Sequence, residues 1–174
     1  MLGISSVGPA PTRGTLSYVP AELPGMDHDA TVRGLAVADQ DPSVPAVVLS
    51  ARDELLPIFI SGSQARSIQL AMDGGSFERP LTHDVFVEMI AEFGGAIDRV
   101  RIDAVSEGTF YAKLDAEQYH GGERRSLVFD VRPSDAIALA LRVDCPVVVS
   151  DEVLDVAAYA TDELNLQQLD EEDR

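Results

Sequence analysis

The stretch that decides the fold is LVFDVRPSDAIALAL, residues 127–141, in which a strand-like segment runs directly into a helical one. Because side chains alternate along a strand, Asp130 and Arg132 are expected to project from the same face. Ser134 is then expected to cap a helix over residues 135–142, which is apolar almost all round. The stretch therefore predicts a strand followed at once by a buried helix.

An earlier stretch, LPIFISGSQARSIQL from Leu56, has the same plan, with Ser63 expected to cap a helix that ends near Asp73. Three strand-like segments precede the helix in each half of the chain. They are residues 32–39, 44–51 and 55–60 in the first half, and 99–106, 109–117 and 126–131 in the second. The matching order predicts a duplicated β3α unit.

Three further elements complete the prediction. A helix between the halves, capped by Thr82, has an apolar stripe and ends at Gly94 and Gly95. A strand at residues 146–150 and a short helix from Asp151 follow the second repeat. The expected fold class is α+β, with duplicated β3α repeats and a mixed or antiparallel sheet packed around buried helices.

Length and composition indicate one domain, because 174 residues with 45% apolar content can close a single core. Residues 1–25 are rich in Gly, Pro, Ser and Thr, and we expect either a disordered extension or a mis-assigned start codon. The domain is expected over residues 26–160. Residues 161–174 carry many acidic side chains and are expected to form a solvated tail.

The net charge of −17 is unusual, and the basic residues are twelve arginines and one lysine, Lys113. An acidic, lysine-poor surface suggests a halophilic source, since molar salt shortens the Debye length to about 3 Å and screens self-repulsion. The alternative is an acidic protein that binds cations or basic partners. Acidity normally argues against nucleic-acid binding, but this argument loses most of its force in high salt.

Composition also limits the compartment and the available ligands. No apolar run approaches the roughly 18 to 20 residues of a membrane helix, and no signal peptide is apparent, so we expect a soluble cytoplasmic protein. Cys145 lies in an apolar run and is expected to be a buried small hydrophobe. No Cys/His spacing predicts zinc, so any metal would be held mainly by oxygen ligands.

The second-half block DVRPSDAIALALR, residues 130–142, predicts an anion-facing corner. Ser134 and Asp135 fall at the start of the buried helix, where free amides and the helix dipole favour negative charge. The alternative is structural: Ser134 only caps, Asp135 only complements the dipole, and Asp130 with Arg132 forms an ion pair.

The block RPLTHD, residues 79–84, supplies the best titrating candidate. His83 would lie in the first turn of a helix, where a neutral imidazole could take a proton from water or return one to a leaving oxygen. Asp84 could set the charge of His83 or bind a cation. The alternative is a histidine that only hydrogen-bonds a neighbouring loop.

Four motifs in order carry a family resemblance: RPLTHD, then GTFYAKL from Gly108, then DVRPSDAIALALR, then DEVL from Asp151. Together they resemble the bifunctional nuclease domain family, over roughly residues 32–155. The resemblance implies a duplicated β3α fold and nuclease activity on both DNA and RNA. In LPIFISGSQARSI, however, Phe59 replaces a usual Trp, and residues 64–66 lack an acid common there, which would impair this protein if that acid were catalytic.

The leading hypothesis is metal-assisted phosphodiester hydrolysis with DNA and RNA as substrates. Mg²⁺ or Mn²⁺ would be held by Asp84, Asp130 and Asp135, and His83 would act as general base or acid. The expected phosphate-binding residues are Arg79, Thr82, Arg132 and Ser134.

Two other hypotheses stay open. The first is a non-catalytic, regulatory module that binds nucleic acid, an anion or a partner protein through the same polar corner. The second is a structural or regulatory subunit that forms a homodimer or another homo-oligomer.

Overall fold

The computed structural model describes residues 26–38, 41–75, 78–161 and 166–168. The first half contains β1 (Asp27–Ala38), β2 (Asp41–Ala51), β3 (Glu54–Phe59) and α1 (Gly62–Met72). After α2 (Thr82–Glu92), the second half contains β4 (Gly95–Ser106), β5 (Thr109–His120), β6 (Glu123–Val131) and α3 (Pro133–Val143). The remaining elements are β7 (Val147–Ser150), α4 (Asp151–Ala157), β8 (Tyr159–Ala160) and β9 (Leu166–Gln168).

The strands form one mixed sheet in the order β6-β5-β4-β7-β1-β2-β3-β8, and β9 pairs with β1. Each half is an antiparallel three-stranded meander, and β7 joins the two halves by pairing parallel to β4 and antiparallel to β1. The predicted α+β class is confirmed. Three strands followed by a helix occur in both halves, in agreement with the predicted repeat, whereas the duplication itself stays a prediction.

Tight turns connect β2 to β3 and β5 to β6. Arg52 and Asp53 both have positive φ, at 52° and 60°, and join β2 to β3. Gly121 and Gly122, with φ of 62° and 86°, do the same between β5 and β6. Two consecutive left-handed residues match the right-handed twist of antiparallel strands, so these short loops determine which strands pair.

The core lies between the sheet and helices α1 and α3. Ile102 and Leu114 on neighbouring strands and Ile137 on α3 are fully buried. The α3 side chains from Ala136 to Ala140 are all buried, as predicted for a helix that is apolar almost all round. Helix α2 differs, because none of its residues is buried and its apolar stripe is largely exposed.

All three predicted helix caps are wrong. Ser61, rather than Ser63, caps α1, and Gln64 completes a capping box. Leu81, rather than Thr82, precedes α2, and the Asp84 carboxylate accepts a hydrogen bond from the Leu81 amide at 2.7 Å.

Arg132, rather than Ser134, is the N-cap of α3, and Pro133 starts the helix. Proline is favoured at the first helical position because it lacks the amide that would be left unpaired there. Ser134 is therefore the second residue of the helix rather than its cap, and it is 5% exposed.

The predicted tail is partly a strand, since Leu166–Gln168 pairs with the end of β1. The predicted extension, residues 1–25, and the rest of the tail beyond Thr161 lie outside the described residues. No helix in the described part of the chain is both long and apolar enough to span a bilayer. Cys145 is half-buried against the core, and burial raises the pKa of its thiol to about 11.

Truncating a core side chain is expected to destabilise the fold. Leu114→Ala should lower the free energy of unfolding by about 2–5 kcal/mol, because a fully buried leucine leaves a cavity when truncated. Val156→Ala, at a side chain that is 69% exposed, should change it by less than about 0.5 kcal/mol. Urea unfolding at neutral pH compares the two, and equal effects would contradict this assignment of the core.

Candidate functional site

A chain of hydrogen bonds centred on His83 joins three helices. His83 lies in the first turn of α2, and its Nδ1 atom is 3.1 Å from the Ser67 hydroxyl of α1. Its Nε2 atom is 3.2 Å from a carboxylate oxygen of Asp135 on α3. The His83 and Asp135 side chains are 22% and 27% exposed, so the chain is partly shielded from solvent.

The partners of the two ring nitrogens determine how the protons are arranged. An ionised carboxylate can only accept, so Nε2 of His83 donates to Asp135. In a neutral imidazole Nδ1 is then an acceptor, and the Ser67 hydroxyl donates to it. A serine, a histidine and an aspartate are thus linked in sequence, with the two ring nitrogens used in the opposite sense to the serine protease triad.

Arg132 completes the outer end of this chain. Its Nε atom donates to one oxygen of Asp135 at 2.6 Å, and an Nη atom donates to the other at 3.2 Å. This bidentate pair orients the carboxylate that faces His83. The Arg132 side chain is 70% exposed. It therefore lies on the surface beside the site.

A second arginine lies beneath the site. Arg142 of α3, with a side chain that is 9% exposed, donates to Asp84 at 2.6 Å and to the carbonyl of Ala138 at 2.8 Å. It also lies 3.4 Å from the Ser67 hydroxyl, which can accept from it. Burial acts to raise the pKa of Asp84, but hydrogen bonds from Arg142 and the Leu81 amide hold that pKa below its ordinary value of 3.8.

The site opens on a shallow depression of about 280 Å³ between α1 and the start of α2. Ser67 and His83 both line it, so the inner end of the hydrogen-bond chain faces this space. The other polar side chains around the depression are Ser63, Arg66 and Thr82. The arrangement can hold a neutral histidine in one orientation and present a serine–histidine pair to a bound molecule.

The structure brings together only some of the predicted site residues. His83 and Asp135 meet directly, and Asp84 lies on the same network through Arg142. Asp130 is instead 73% exposed and pairs with Lys113 at 2.6 Å. The structural alternative for Asp130 and Arg132, an ion pair between them, is therefore wrong, because Asp130 pairs with Lys113 and Arg132 with Asp135.

The predicted phosphate-binding residues fall into two groups, one at the start of α2 and one at the start of α3. Arg79 and Thr82 are exposed at the entrance to α2, and Arg132 is held by Asp135. Ser134 is 5% exposed and, together with Arg132, lines a second depression beside Gln64 and Thr109. Of this predicted set, Thr82 is the residue that lines the depression beside His83.

The predicted metal ligands do not fit a shared ion. Asp84, Asp130 and Asp135 are each paired with a different cation, namely Arg142, Lys113 and Arg132. Among the residues that the structure describes, no three His, Cys, Asp or Glu side chains are grouped so as to hold a metal. The expectation of Mg²⁺ or Mn²⁺ stays a prediction, and no chemical step follows from it here.

Sequence reasoning missed Ser67 and Arg142. Ser67 lies within SGSQARSIQL, where the sequence pattern predicts a role only for Ser63, as a helix cap. Arg142 is predicted only as the last residue of the helix over residues 135–142. A buried serine on an otherwise apolar helix face was the available signal, since buried hydroxyls need hydrogen-bond partners. Its partners lie 16 and 75 residues away, however, and are not visible in the local sequence.

The fold and the site define an α+β domain with two β3α halves and a polar cluster where α1, α2 and α3 meet. The bifunctional nuclease domain profile matches residues 47–162, more than half of the 174-residue chain. The chain therefore belongs to the bifunctional nuclease domain family, as its motifs indicated.

Individual relatives agree with this assignment. An uncharacterised protein of Mycobacterium tuberculosis is 38% identical over 128 residues, which are 72% of this chain and 73% of the relative. Bifunctional nuclease 2 of Oryza sativa subsp. japonica is 33% identical over 108 residues, or 60% of this chain. Bifunctional nuclease 1 of Arabidopsis thaliana is 31% identical over 109 residues, or 61% of this chain. In both plant proteins the match spans 33% of the relative's length.

The Asp84–Arg142 pair generates a pH-dependent prediction. A carboxylate whose pKa is lower in the folded than in the unfolded protein stabilises the fold when the pH is above the unfolded-state pKa, here near 3.8. This stabilisation is lost as the pH falls through the folded-state pKa. Asp84→Asn should therefore be most destabilising at neutral pH, and its difference from the unmodified protein should shrink below about pH 3.8.

Urea unfolding from neutral to acidic pH measures this difference. Glu88→Gln, on an exposed face of the same helix, is a control for the loss of one negative charge. A destabilisation by Asp84→Asn that stays constant with pH would contradict the proposed role of the ionised Asp84.

Proposed function

We propose that this protein is a nuclease that hydrolyses phosphodiester bonds of DNA and RNA, with His83 as the group that transfers protons. The observation that carries the proposal is the hydrogen-bond chain from Ser67 through His83 to Asp135, which opens on a surface depression. Family membership and the names of the plant relatives support the same class of reaction.

The hydrogen bonds from Ser67 through His83 to Asp135 support a general-base step at Nδ1 of His83. Water bound in the depression would pass one proton to the Ser67 oxygen while the Ser67 proton moves to Nδ1, and the resulting hydroxide would attack phosphorus. The imidazolium formed this way would be stabilised by Asp135, which already accepts the Nε2 proton. The same histidine can return its proton to the leaving oxygen, so the cycle restores the neutral ring.

Substrate phosphate would be bound at the entrance to α2. Arg79 is exposed there, and the amides of the first turn of an 11-residue helix point toward the same end. Arg66 and Thr82 line the depression and can contact a phosphate or sugar oxygen. The net charge of −17 opposes long-range attraction of nucleic acid, so binding would depend on these local contacts.

Replacing His83 tests the proposal directly. His83→Ala should reduce kcat by about 100-fold or more on single-stranded DNA and on RNA, because a general base typically contributes that much. His120→Ala is the matched control, since His120 is exposed at the β5–β6 turn. Fluorescent-oligonucleotide cleavage by protein purified free of host nucleases measures both, and full activity of His83→Ala would end the assignment.

Two substitutions test whether Ser67 and Asp135 act through His83. Ser67→Ala and Asp135→Asn should each lower kcat by about tenfold or more with little change in KM, because they alter proton transfer rather than binding. The pH profile of kcat should shift in Asp135→Asn, since the charge beside the ring is lost. An equal rise in KM with unchanged kcat would instead place both residues in substrate binding.

The metal expectation is tested in the same assay. Activity is measured after exhaustive chelation with EDTA and after addition of Mg²⁺ or Mn²⁺ to wild type and to Asp130→Asn. Loss of activity on chelation, with loss of metal response in Asp130→Asn, would support the sequence-based metal hypothesis. Activity that survives chelation would support proton transfer by His83 without a metal.

A binding module is the second candidate, favoured by one specific observation. Both ring nitrogens of His83 and the carboxylates of Asp84 and Asp135 already have partners within the protein, as expected of a network that only stabilises the fold. Such a module would bind oligonucleotides in a salt-dependent manner, which fluorescence anisotropy measures. It would not cleave them with or without added Mg²⁺ or Mn²⁺. Cleavage that is lost in His83→Ala would exclude it.

A further inference from the structure

Strand β6 forms an open end of the sheet. It is the last strand in the sheet order, where it pairs with β5, and no described strand pairs with its other edge. Its side chains are largely exposed on both faces, including Val128 at 54% and Phe129 at 41%. A row of backbone donors and acceptors is therefore available beside exposed apolar side chains.

This edge lacks several of the usual protections against pairing. Exposed edge strands are commonly short, or contain a β-bulge, a proline or charged side chains, lysine above all. Strand β6 has nine residues without proline or lysine, and its four charged residues are balanced, two arginines and two acids. Its register with β5 is continuous from Ala112↔Val131 to His120↔Glu123, whereas β1 and β4 both have register shifts.

We propose that β6 is the interface through which a second copy of this chain binds, by antiparallel pairing of β6 with the partner's β6. A two-fold axis perpendicular to the sheet keeps the same face of both copies on the same side. Since directly opposite residues share a face, the axis must pass midway between the two copies of one residue. Placing it at Leu127, the middle of Glu123–Val131, pairs the whole strand with itself.

Charge complementarity supports this register. With the axis at Leu127, Arg124 lies opposite the partner's Asp130, and symmetry repeats the pair. Directly opposite residues in antiparallel strands are close enough to interact, and opposite charges are stabilising there. An axis at Ser126 or Val128 would place neither Arg124 nor Arg125 opposite an acid, so the register at Leu127 is favoured.

The local charge also permits self-association in a strongly acidic protein. The whole chain has a net charge of −17, but ERRSLVFDV contains as many basic as acidic residues. The two β6 edges therefore do not repel each other locally. Long-range repulsion between the copies would be screened by salt, so the dimer should become tighter as the salt concentration rises.

Helix α2 extends the apolar surface on the core side of the sheet. Paired residues on neighbouring strands project from the same face of a sheet, and Gly95 of β4 pairs with Gln118 of β5, which pairs with Arg125 of β6. A Cβ atom at Gly95 would lie 3.1 Å from the Ile90 side chain of α2, so α2 packs on the face from which Arg125 and Phe129 project. The exposed apolar residues of α2 thus lie on the same side of the sheet as Phe129. They are Val85, Phe86 and Met89, together with Phe93 just after the helix. The two-fold axis would place the partner's equivalent residues on that side too.

A disulfide at the axis tests the register. Leu127→Cys in a Cys145→Ser background would face itself across the axis, with Cα atoms about 4.5–5.5 Å apart, which suits a disulfide. Ser126→Cys in the same background is the matched control, because its Cα would lie roughly 8 Å from its symmetry mate. Val156→Cys, on the exposed surface of α4, controls for random collision.

The expected result is rapid oxidation of the Leu127→Cys protein to a covalent dimer of twice 18.7 kDa, with both controls remaining largely monomeric. Non-reducing electrophoresis after mild oxidation of the natively folded variants, verified by circular dichroism, measures this. Cross-linking of Leu127→Cys no faster than Val156→Cys, or equal cross-linking of Ser126→Cys, would overturn the proposal.

A charge swap tests the pairing without cysteine chemistry. Arg124→Asp and Asp130→Arg each place like charges opposite one another twice per dimer, and each should weaken the dimer by about tenfold or more. The double variant restores opposite charges and should regain most of the affinity. Sedimentation equilibrium at low salt and at about 1 M KCl measures the dimer Kd.

Within its own chain Arg124 also pairs with Glu117 and Asp98, and Asp130 pairs with Lys113. Thermal unfolding of each variant therefore separates loss of dimer from loss of fold. Val156→Lys adds a charge away from β6 and should leave the dimer unchanged. A monomeric wild type at both salt concentrations, single variants that dimerise like wild type, or a double variant that fails to recover would each refute pairing through β6.

Discussion

Burial of α3 is the constraint on which the rest of the structure depends. The helix is apolar almost all round, so it must be covered by the sheet on one side and by other helices on the other. Polar residues are present at both of its ends, and a buried polar group without a partner is costly. Asp135 near its start and Arg142 near its end therefore need partners from neighbouring elements, which α1 and α2 supply.

The candidate site is a consequence of this constraint. His83 and Asp84 are adjacent in the first turn of α2, yet they interact with opposite ends of α3, through Asp135 and Arg142 respectively. Ser67 of α1 bonds to His83 and lies within reach of Arg142, so one hydroxyl connects the two pairs. The side chains proposed for proton transfer are also the ones that hold the helices together, because the same contacts orient the imidazole.

The two motifs identified in the sequence have unequal roles in the structure. RPLTHD provides His83 and Asp84, both of which belong to the polar network. DVRPSDAIALALR contributes Asp135, Arg132 and Arg142 to the network, whereas its Asp130 pairs with Lys113 on the outer face of the sheet. The motifs therefore indicate which segments of the chain contribute to the site, and the structure separates the residues that meet there from Asp130, which does not.

Much of the fold was determined by local sequence. Strand alternation, the turns at Gly108 and at Gly121–Gly122, and the apolar composition of residues 135–142 were sufficient to predict nearly every element, because these signals act within a few residues. The caps were mispredicted because a serine or threonine near a helix start need not be the cap. Leu81 and Arg132 precede α2 and α3 without a side-chain cap hydrogen bond, and Pro133 starts α3. Only the tertiary structure decided that Ser67 meets His83, that each predicted metal ligand pairs with a different cation and that β6 is an edge. These features depend on contacts between residues far apart in the chain, and the local sequence does not encode their geometry.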